Sequence, residues 1–143
     1  MNELRITVEG IPKGQPRVRA CIRGRHAGVY DPGTADEWKA CVRGAATDAA
    51  MNRGPILDAV ALHVVFRMPR PKAHLDKDGD VRRGFMFAPH AQKPDIENLI
   101  KAVMDALTNV GVWRDDAQVN RLTVDRVWCP RHARPGCDIT LNW

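Results

Sequence analysis

The sequence predicts an α+β fold, with one small mixed β-sheet packed against two main helices in a single domain. Three observations carry this reading. Apolar and polar residues alternate strictly in several short runs, two longer stretches repeat their apolar residues at helical spacing, and no shift in composition divides the 143 residues. A chain of this length is large enough to bury one core of its own.

The elements follow in order. Leu4, Ile6 and Val8 alternate with Glu3, Arg5, Thr7 and Glu9, which predicts a half-buried strand ended by Gly10 and Pro12. From residue 12 to 32, Arg17, Arg19, Cys21 and Arg23 alternate with Val18, Ala20 and Ile22, so an extended segment places its arginines on one face. That face either lies along a phosphate backbone or belongs to a solvated hairpin that touches nothing, and the pattern alone does not choose. A helix is expected from Thr34 or Asp36, either of which can cap it, to about Asn52, with Trp38, Cys41, Val42, Ala45, Ala46 and Ala49 as its apolar stripe.

Val60, Leu62, Val64 and Phe66 then form one face of a strand, with His63 on the other as an ordinary sheet histidine. Residues 69 to 94 hold Pro69, Pro71, Pro89 and Pro94 and read as a long loop or mobile hairpin, a kind of connection that is often functional in a compact domain. Within it, Asp76, Asp78, Gly79 and Asp80 lack the distal glutamate of a calcium loop and are expected to form a solvated turn, while His74 and His90 are expected to be exposed. A second helix runs from near Asp95 to near Gly111, with Ile96, Leu99, Ile100, Val103 and Leu107 inward and Glu97, Lys101, Asp105 and Thr108 outward. Residues 119–128 and 137–143 read as two strands joined by a turn, an antiparallel hairpin that closes the sheet.

Cys21, Cys41, Cys129 and Cys137 show no C-x-x-C spacing, so zinc is disfavoured and reduced core thiols are expected; Cys129 and Cys137 flank the last turn and can face one another across it. No apolar run reaches the roughly 20 residues of a bilayer span, and the N-terminus lacks a charged head followed by an apolar block. A soluble, cytoplasmic protein with no membrane partner is the expectation.

Charge is the more informative feature. The chain has 22 Lys and Arg against 17 Asp and Glu, a net +5, and the basic residues cluster at Arg17, Arg19, Arg23 and Arg25, at Arg67, Arg70, Lys72, Arg82 and Arg83, and at Arg126, Arg131 and Arg134. Against this background Asp95, Glu97, Asp105, Asp115 and Asp116 fall within one short stretch. Carboxylates brought together raise one another's pKa and call for a cation, and a cationic surface around such a pocket suits a polyanionic substrate. Arg17, Arg19, Arg23, Arg25 and Lys93 are the candidate DNA contacts.

Pro94 biases Lys93 away from helical angles, so Asp95 can sit at the helix start with Glu97 in the first turn, where the helix dipole favours both anions. Asp115 and Asp116 follow the turn that closes the helix, and tertiary folding can return one of them to that pair. Residues adjacent on an extended segment face opposite ways, which leaves the other pointing elsewhere or in a supporting position. Lys101, one turn beyond Glu97, can pair with that carboxylate or reach a phosphate, and Asp105 is the expected ion-pair partner of Lys101.

The run Pro94, Asp95, Glu97, Asn98, Leu99, Lys101, Ala102, Asp105, Ala106, Leu107, Gly111, Trp113, Asp115, Asp116, Ala117, Gln118 and Val119 closely resembles the core motif of the RusA family of Holliday-junction resolvases. The resemblance implies a RusA-like homodimer that resolves four-way DNA junctions by paired symmetric nicks in recombination and repair. It implies Mg²⁺, with Mn²⁺ as the alternative ion, held by Asp95, Glu97 and Asp116, with Lys101 completing the catalytic set and Asp115 and Asp105 supporting it. Glu97 stands where many relatives carry aspartate, which changes reach without changing donor chemistry. Three rival readings are a branched-DNA binding module that never cuts, a nuclease for flaps or forks, and a hydrolase of small phosphoesters, for which the basic loops are superfluous.

Overall fold

The computed structural model describes residues 1–143. Strands β1 (Glu3–Glu9), β4 (Val60–Met68), β5 (Val119–Trp128) and β6 (Gly136–Asn142) form a four-stranded sheet in the order β1-β6-β4-β5, while β2 (Arg19–Arg23) and β3 (His26–Tyr30) form a separate ribbon. Helices α1 (Asp36–Ala49) and α2 (Ile96–Asn109) complete the fold, and three single 3-10 turns lie at Lys72–His74, Arg83–Phe85 and Asp116–Gln118. The α+β expectation with a mixed sheet and two helices holds.

Alternation in the strands sets which face is buried. Leu4, Ile6 and Val8 pair with Leu141, Ile139 and Cys137, which in turn pair with Leu62, Val64 and Phe66, so one apolar face runs across three strands. Trp38, Val42 and Ala46 of α1 and Leu99, Val103 and Leu107 of α2 join that face in a single buried cluster. Fully burying one such leucine or phenylalanine contributes roughly 2 kcal/mol. The opposite face is polar: His63 meets Asp125 at 3.1 Å, as expected of a sheet histidine, and Arg67 pairs with Asp138.

The closing hairpin is a correction. β5 and β6 are not neighbours, because β4 lies between them, antiparallel to β6 and parallel to β5. The segment from Cys129 to Pro135 therefore crosses over β4, and Cys129 and Cys137 do not face each other; all four cysteines are free thiols. Burial pushes the Cys129 and Cys137 thiols above their ordinary pKa, whereas Cys21 sits on the outlying ribbon and not in a core. Gly136 is the residue that permits the crossing, because a Cβ there would collide with the Val8 carbonyl oxygen.

Two other expectations change. Neither Thr34 nor Asp36 caps α1, whose N-cap is Ala35 with no side-chain hydrogen bond, and the helix ends at Ala49. His74 and His90 are buried, not exposed. His74 stacks on Phe85 at 4.2 Å and meets the edge of Trp128 at 4.9 Å, and His90 packs on Trp128 at 4.3 Å, so the long loop has a small aromatic core of its own. The Asp76–Asp80 turn is solvated as expected, with Asp76 Oδ1 accepting from the backbone N–H groups of Asp78 and Asp80 at 2.8 and 3.0 Å.

Candidate active site

Asp95 occupies the N-cap of α2 in extended conformation, φ −66° and ψ 148°, yet its side chain makes no capping hydrogen bond. An N-cap aspartate usually spends its carboxylate on the first-turn N–H groups. Here that carboxylate is free and exposed, beside the positive end of the helix dipole. The loop before it is pinned by Arg126 of β5, which donates to the Gln92 and Pro94 carbonyls at 2.9 and 2.6 Å.

The N-terminal segment crosses this helix start closely. Gln15 N–H donates to the Asn98 carbonyl at 2.8 Å, and a Cβ at Gly14 approaches Asn98 Cβ to 3.0 Å and Pro94 Cβ to 3.1 Å. Gly14, Gln15, Arg17, Lys93, Pro94, Asp95 and Asn98 thereby enclose a depression of about 640 Å³ that mixes one carboxylate with two cations.

Further along α2 lies a second depression of about 220 Å³, lined by Lys39, Asp105, Thr108, Asn109, Asp115 and Asp116. The Asp115–Gln118 turn is tightly built. Asp115 accepts from the Ala117 N–H at 2.7 Å, Gln118 Oε1 accepts from the Arg114 and Asp115 N–H groups, and Gln118 Nε2 donates to the Ile56 and Asp58 carbonyls, both at 2.9 Å. Asp115 therefore caps the turn that presents Asp116, and both line one depression where simple alternation sends them apart.

Desolvation first, then the hydrogen bond and charge of Asp115 and the charge of Asp105, push the Asp116 carboxyl above its ordinary pKa. The groups that bear on Asp116 are thus Asp115 and Asp105; neither Asp95 nor Glu97 is among them. Asp95 and Asp105 are about 15 Å apart along the helix at 1.5 Å per residue. As the side chains stand, no three acidic, histidine or cysteine groups converge on one point. The crowded oxygen donors around Asp116 nevertheless suit a hard divalent cation, which relieves that repulsion.

Lys39 joins the two depressions. Its Nζ lies 3.8 Å from Asp105 Oδ2 and donates to Gln15 Oε1 at 3.1 Å, and Gln15 Nε2 donates onward to Asp31 at 3.1 Å. This corrects the Lys101 pairing: Lys101 is exposed and forms no ion pair with Glu97 or Asp105. Glu97 is likewise exposed and lines neither depression. Lys39 escaped sequence reasoning because it reads as part of a solvated helix face; its place beside Trp38, at the margin of the apolar stripe, is the one signal that it sits near the α1–α2 seam.

The predicted basic clusters separate into two kinds. Arg67 donates to the Arg134 and Val8 carbonyls, Arg70 to those of Cys129 and Phe85, and Arg126 to the α2 approach, so these three are structural. Arg17, Arg19, Arg23 and Arg25 are exposed and form no ion pair, and Arg19 and Arg23 share one face of a ribbon turned at Gly24 and Arg25. An unpaired arginine face flanking a line of carboxylates is the arrangement of a domain that handles a polyanion. The chain belongs to the RusA endodeoxyribonuclease family, the Holliday-junction resolvases, whose family model, Endodeoxyribonuclease RusA, matches residues 8–141. It is also similar to the uncharacterized protein YqaN of Bacillus subtilis (strain 168), 29% identical over 134 residues, which covers 90% of this chain and 89% of that protein. No helix is long and apolar enough to cross a membrane.

Proposed function

We propose that this endodeoxyribonuclease is a Mg²⁺-dependent, homodimeric resolvase that cuts four-way DNA junctions by paired symmetric nicks, working in the cytoplasm. The observation that carries the reading is the freed N-cap carboxylate of Asp95 on the same helix that frames the crowded Asp116 cluster, with unpaired cations on either side. Asp95, Glu97 and Asp116 are the proposed donors to the ion, for which Mn²⁺ is the alternative, although the three line no common depression as the side chains stand. When bound, such an ion eases deprotonation of the attacking water and takes up charge on the leaving 3′-oxygen.

The remaining roles fall to side chains whose places are already described. Arg17 and Lys93 sit beside Asp95, where a phosphate can be held against the acid. Lys101, exposed and unpaired, is free to meet charge that develops on the scissile phosphate. Asp115 fixes the turn that presents Asp116, and Lys39 offsets Asp105. Arg19, Arg23 and Arg25 extend the contact along the backbone of a DNA arm, a sequence-independent attraction. Two nicks placed symmetrically need two such sites, which a twofold dimer provides.

The test is a labelled four-way junction incubated with the protein in Mg²⁺ and in chelator, beside an unbranched duplex. The expected result is paired nicks at symmetric positions in Mg²⁺, leaving 5′-phosphates and 3′-hydroxyls, and binding without cleavage in chelator. Tight binding with no cleavage in either ion supports the binding module instead, and equal cutting of flaps and forks widens the substrate.

A further inference from the structure

One surface outside the acidic site is unexpectedly apolar. At the tip of the long loop Phe87 is 93% exposed and Met86 52% exposed, and Phe87 has the greatest exposure of any large apolar side chain after the N-terminal methionine. This tip is not slack chain. Phe85 stacks on His74, His74 and His90 both pack on Trp128, and Arg70 donates to the Phe85 carbonyl at 3.0 Å. The Phe85 and Ala88 N–H groups close successive turns onto Arg82 and Phe85, and Ala88 packs against the main core. An aromatic side chain is therefore held out into water by a built support, next to a second exposed apolar side chain, Met86.

Its surroundings identify the chemistry of an occupant. Arg83 and Lys72 are exposed on the same loop and form no ion pair within the chain. Met86 lines a groove of about 600 Å³ with Val127, Trp128, Arg70 and the Arg131–Asp80 ion pair. From Trp128 a second groove passes His90 to Lys93 and Pro94, which also line the Asp95 depression. Apolar surface, free cations and continuity with the acidic site fit one ligand: a nucleic-acid strand whose bases are open to stacking.

We propose that Phe87 is a wedge that inserts at the branch point of junction DNA and stacks on a base there, with Arg83 and Lys72 on the flanking phosphates. Exposed phenylalanine and methionine side chains part base steps in this way, and a base pays least to leave its stack where pairing is already interrupted. The wedge thus supplies selectivity for branched over continuous DNA that phosphate contacts alone do not give. It rests on the junction-resolving reading above.

The experiment uses the full chain in chelator, a four-way junction carrying 2-aminopurine at the branch, and an unbranched duplex of the same sequence. Wild type is expected to raise the 2-aminopurine signal and to prefer the junction. Phe87→Ala should abolish the rise and weaken junction binding about tenfold, within what one base–aromatic stack provides, while duplex binding is unchanged; Phe87→Trp should keep both properties. Because Phe87 touches little else, its loss leaves the fold intact, which thermal unfolding checks. A Phe87→Ala protein that still raises the signal and still prefers the junction overturns the wedge alone. A wild type that shows no preference for the junction overturns the resolving function as well. A self-association constant that drops in Phe87→Ala with unchanged DNA binding assigns the tip to a second copy of the chain and also overturns the proposal.

Discussion

The two depressions along α2 differ in how their charge is arranged. At the helix start one exposed carboxylate, Asp95, shares its space with Arg17 and Lys93; three turns on, Asp105, Asp115 and Asp116 crowd together against the single cation Lys39. The first can accept a phosphate without help, because its cations outnumber its acid. The second holds three acids against one cation, so a phosphate there meets net negative charge unless a cation intervenes. The two ends thus differ in the balance of their charge, and Lys39 with Gln15 ties them together.

The comparison is broken most severely at the crowded end. Asp116→Asn should reduce metal-dependent junction cleavage by about a hundredfold or more while junction binding survives or tightens, since a repulsive charge is removed; the scale follows from the effect of losing even a residue that only orients a metal ligand. Cutting at the wild-type rate contradicts the assignment. Lys39→Met removes both the Asp105 ion pair and the Gln15 hydrogen bond. It should cost about tenfold in cleavage, with Lys39→Arg recovering part of it, and steady-state rates over a range of Mg²⁺ concentrations separate weakened ion binding from a displaced N-terminal segment.

On the arginine ribbon that follows Arg17, Arg19→Ala with Arg23→Ala should lower the slope of log affinity against log salt by about 1.8, at roughly 0.9 per phosphate contact. Binding titrations at several salt concentrations give the slope, and an unchanged value returns the ribbon to the solvated hairpin. The smallest effect lies outside both depressions, in the aromatic cluster of the long loop. Burial, and then the charge of Arg126, hold His90 below its ordinary 6.5. The unfolded chain therefore takes up the proton first, so this contribution to stability is complete above pH 6.5 and is lost as pH falls towards the lowered value. Urea unfolding at pH 7.5 and 5.5 should show that loss, and His90→Leu should reduce it; a loss of the same size in the variant places its origin elsewhere.

How far the fold was legible depended on the range of the interactions involved. Leu4, Ile6 and Val8, or Val60 to Phe66, declare their buried face through local alternation, and the Asp95 to Asn109 stripe declares a helix. The neighbour of β5 was not legible in this way. Its parallel pairing with β4 joins residues some sixty positions apart, as Leu62 with Leu122, and a short connection to β6 made the nearer partner look natural. His74 and His90 were misplaced for a similar reason: their burial depends on Trp128, which only the folded chain brings to the loop. In the site, the carboxylates were visible as a group, but Lys39 and the capping role of Asp115 arise from helix packing and turn geometry, to which spacing along the chain is blind.

The central claim is that Asp95 and Asp116, placed in separate depressions, act in one catalytic unit. The most direct test is a double-variant cycle in junction cleavage with Asp95→Asn, Asp116→Asn and the pair. Residues of one unit are non-additive, so the account predicts that the double variant cuts no more slowly than the worse single one. Losses that multiply would mean two independent sites and would contradict it.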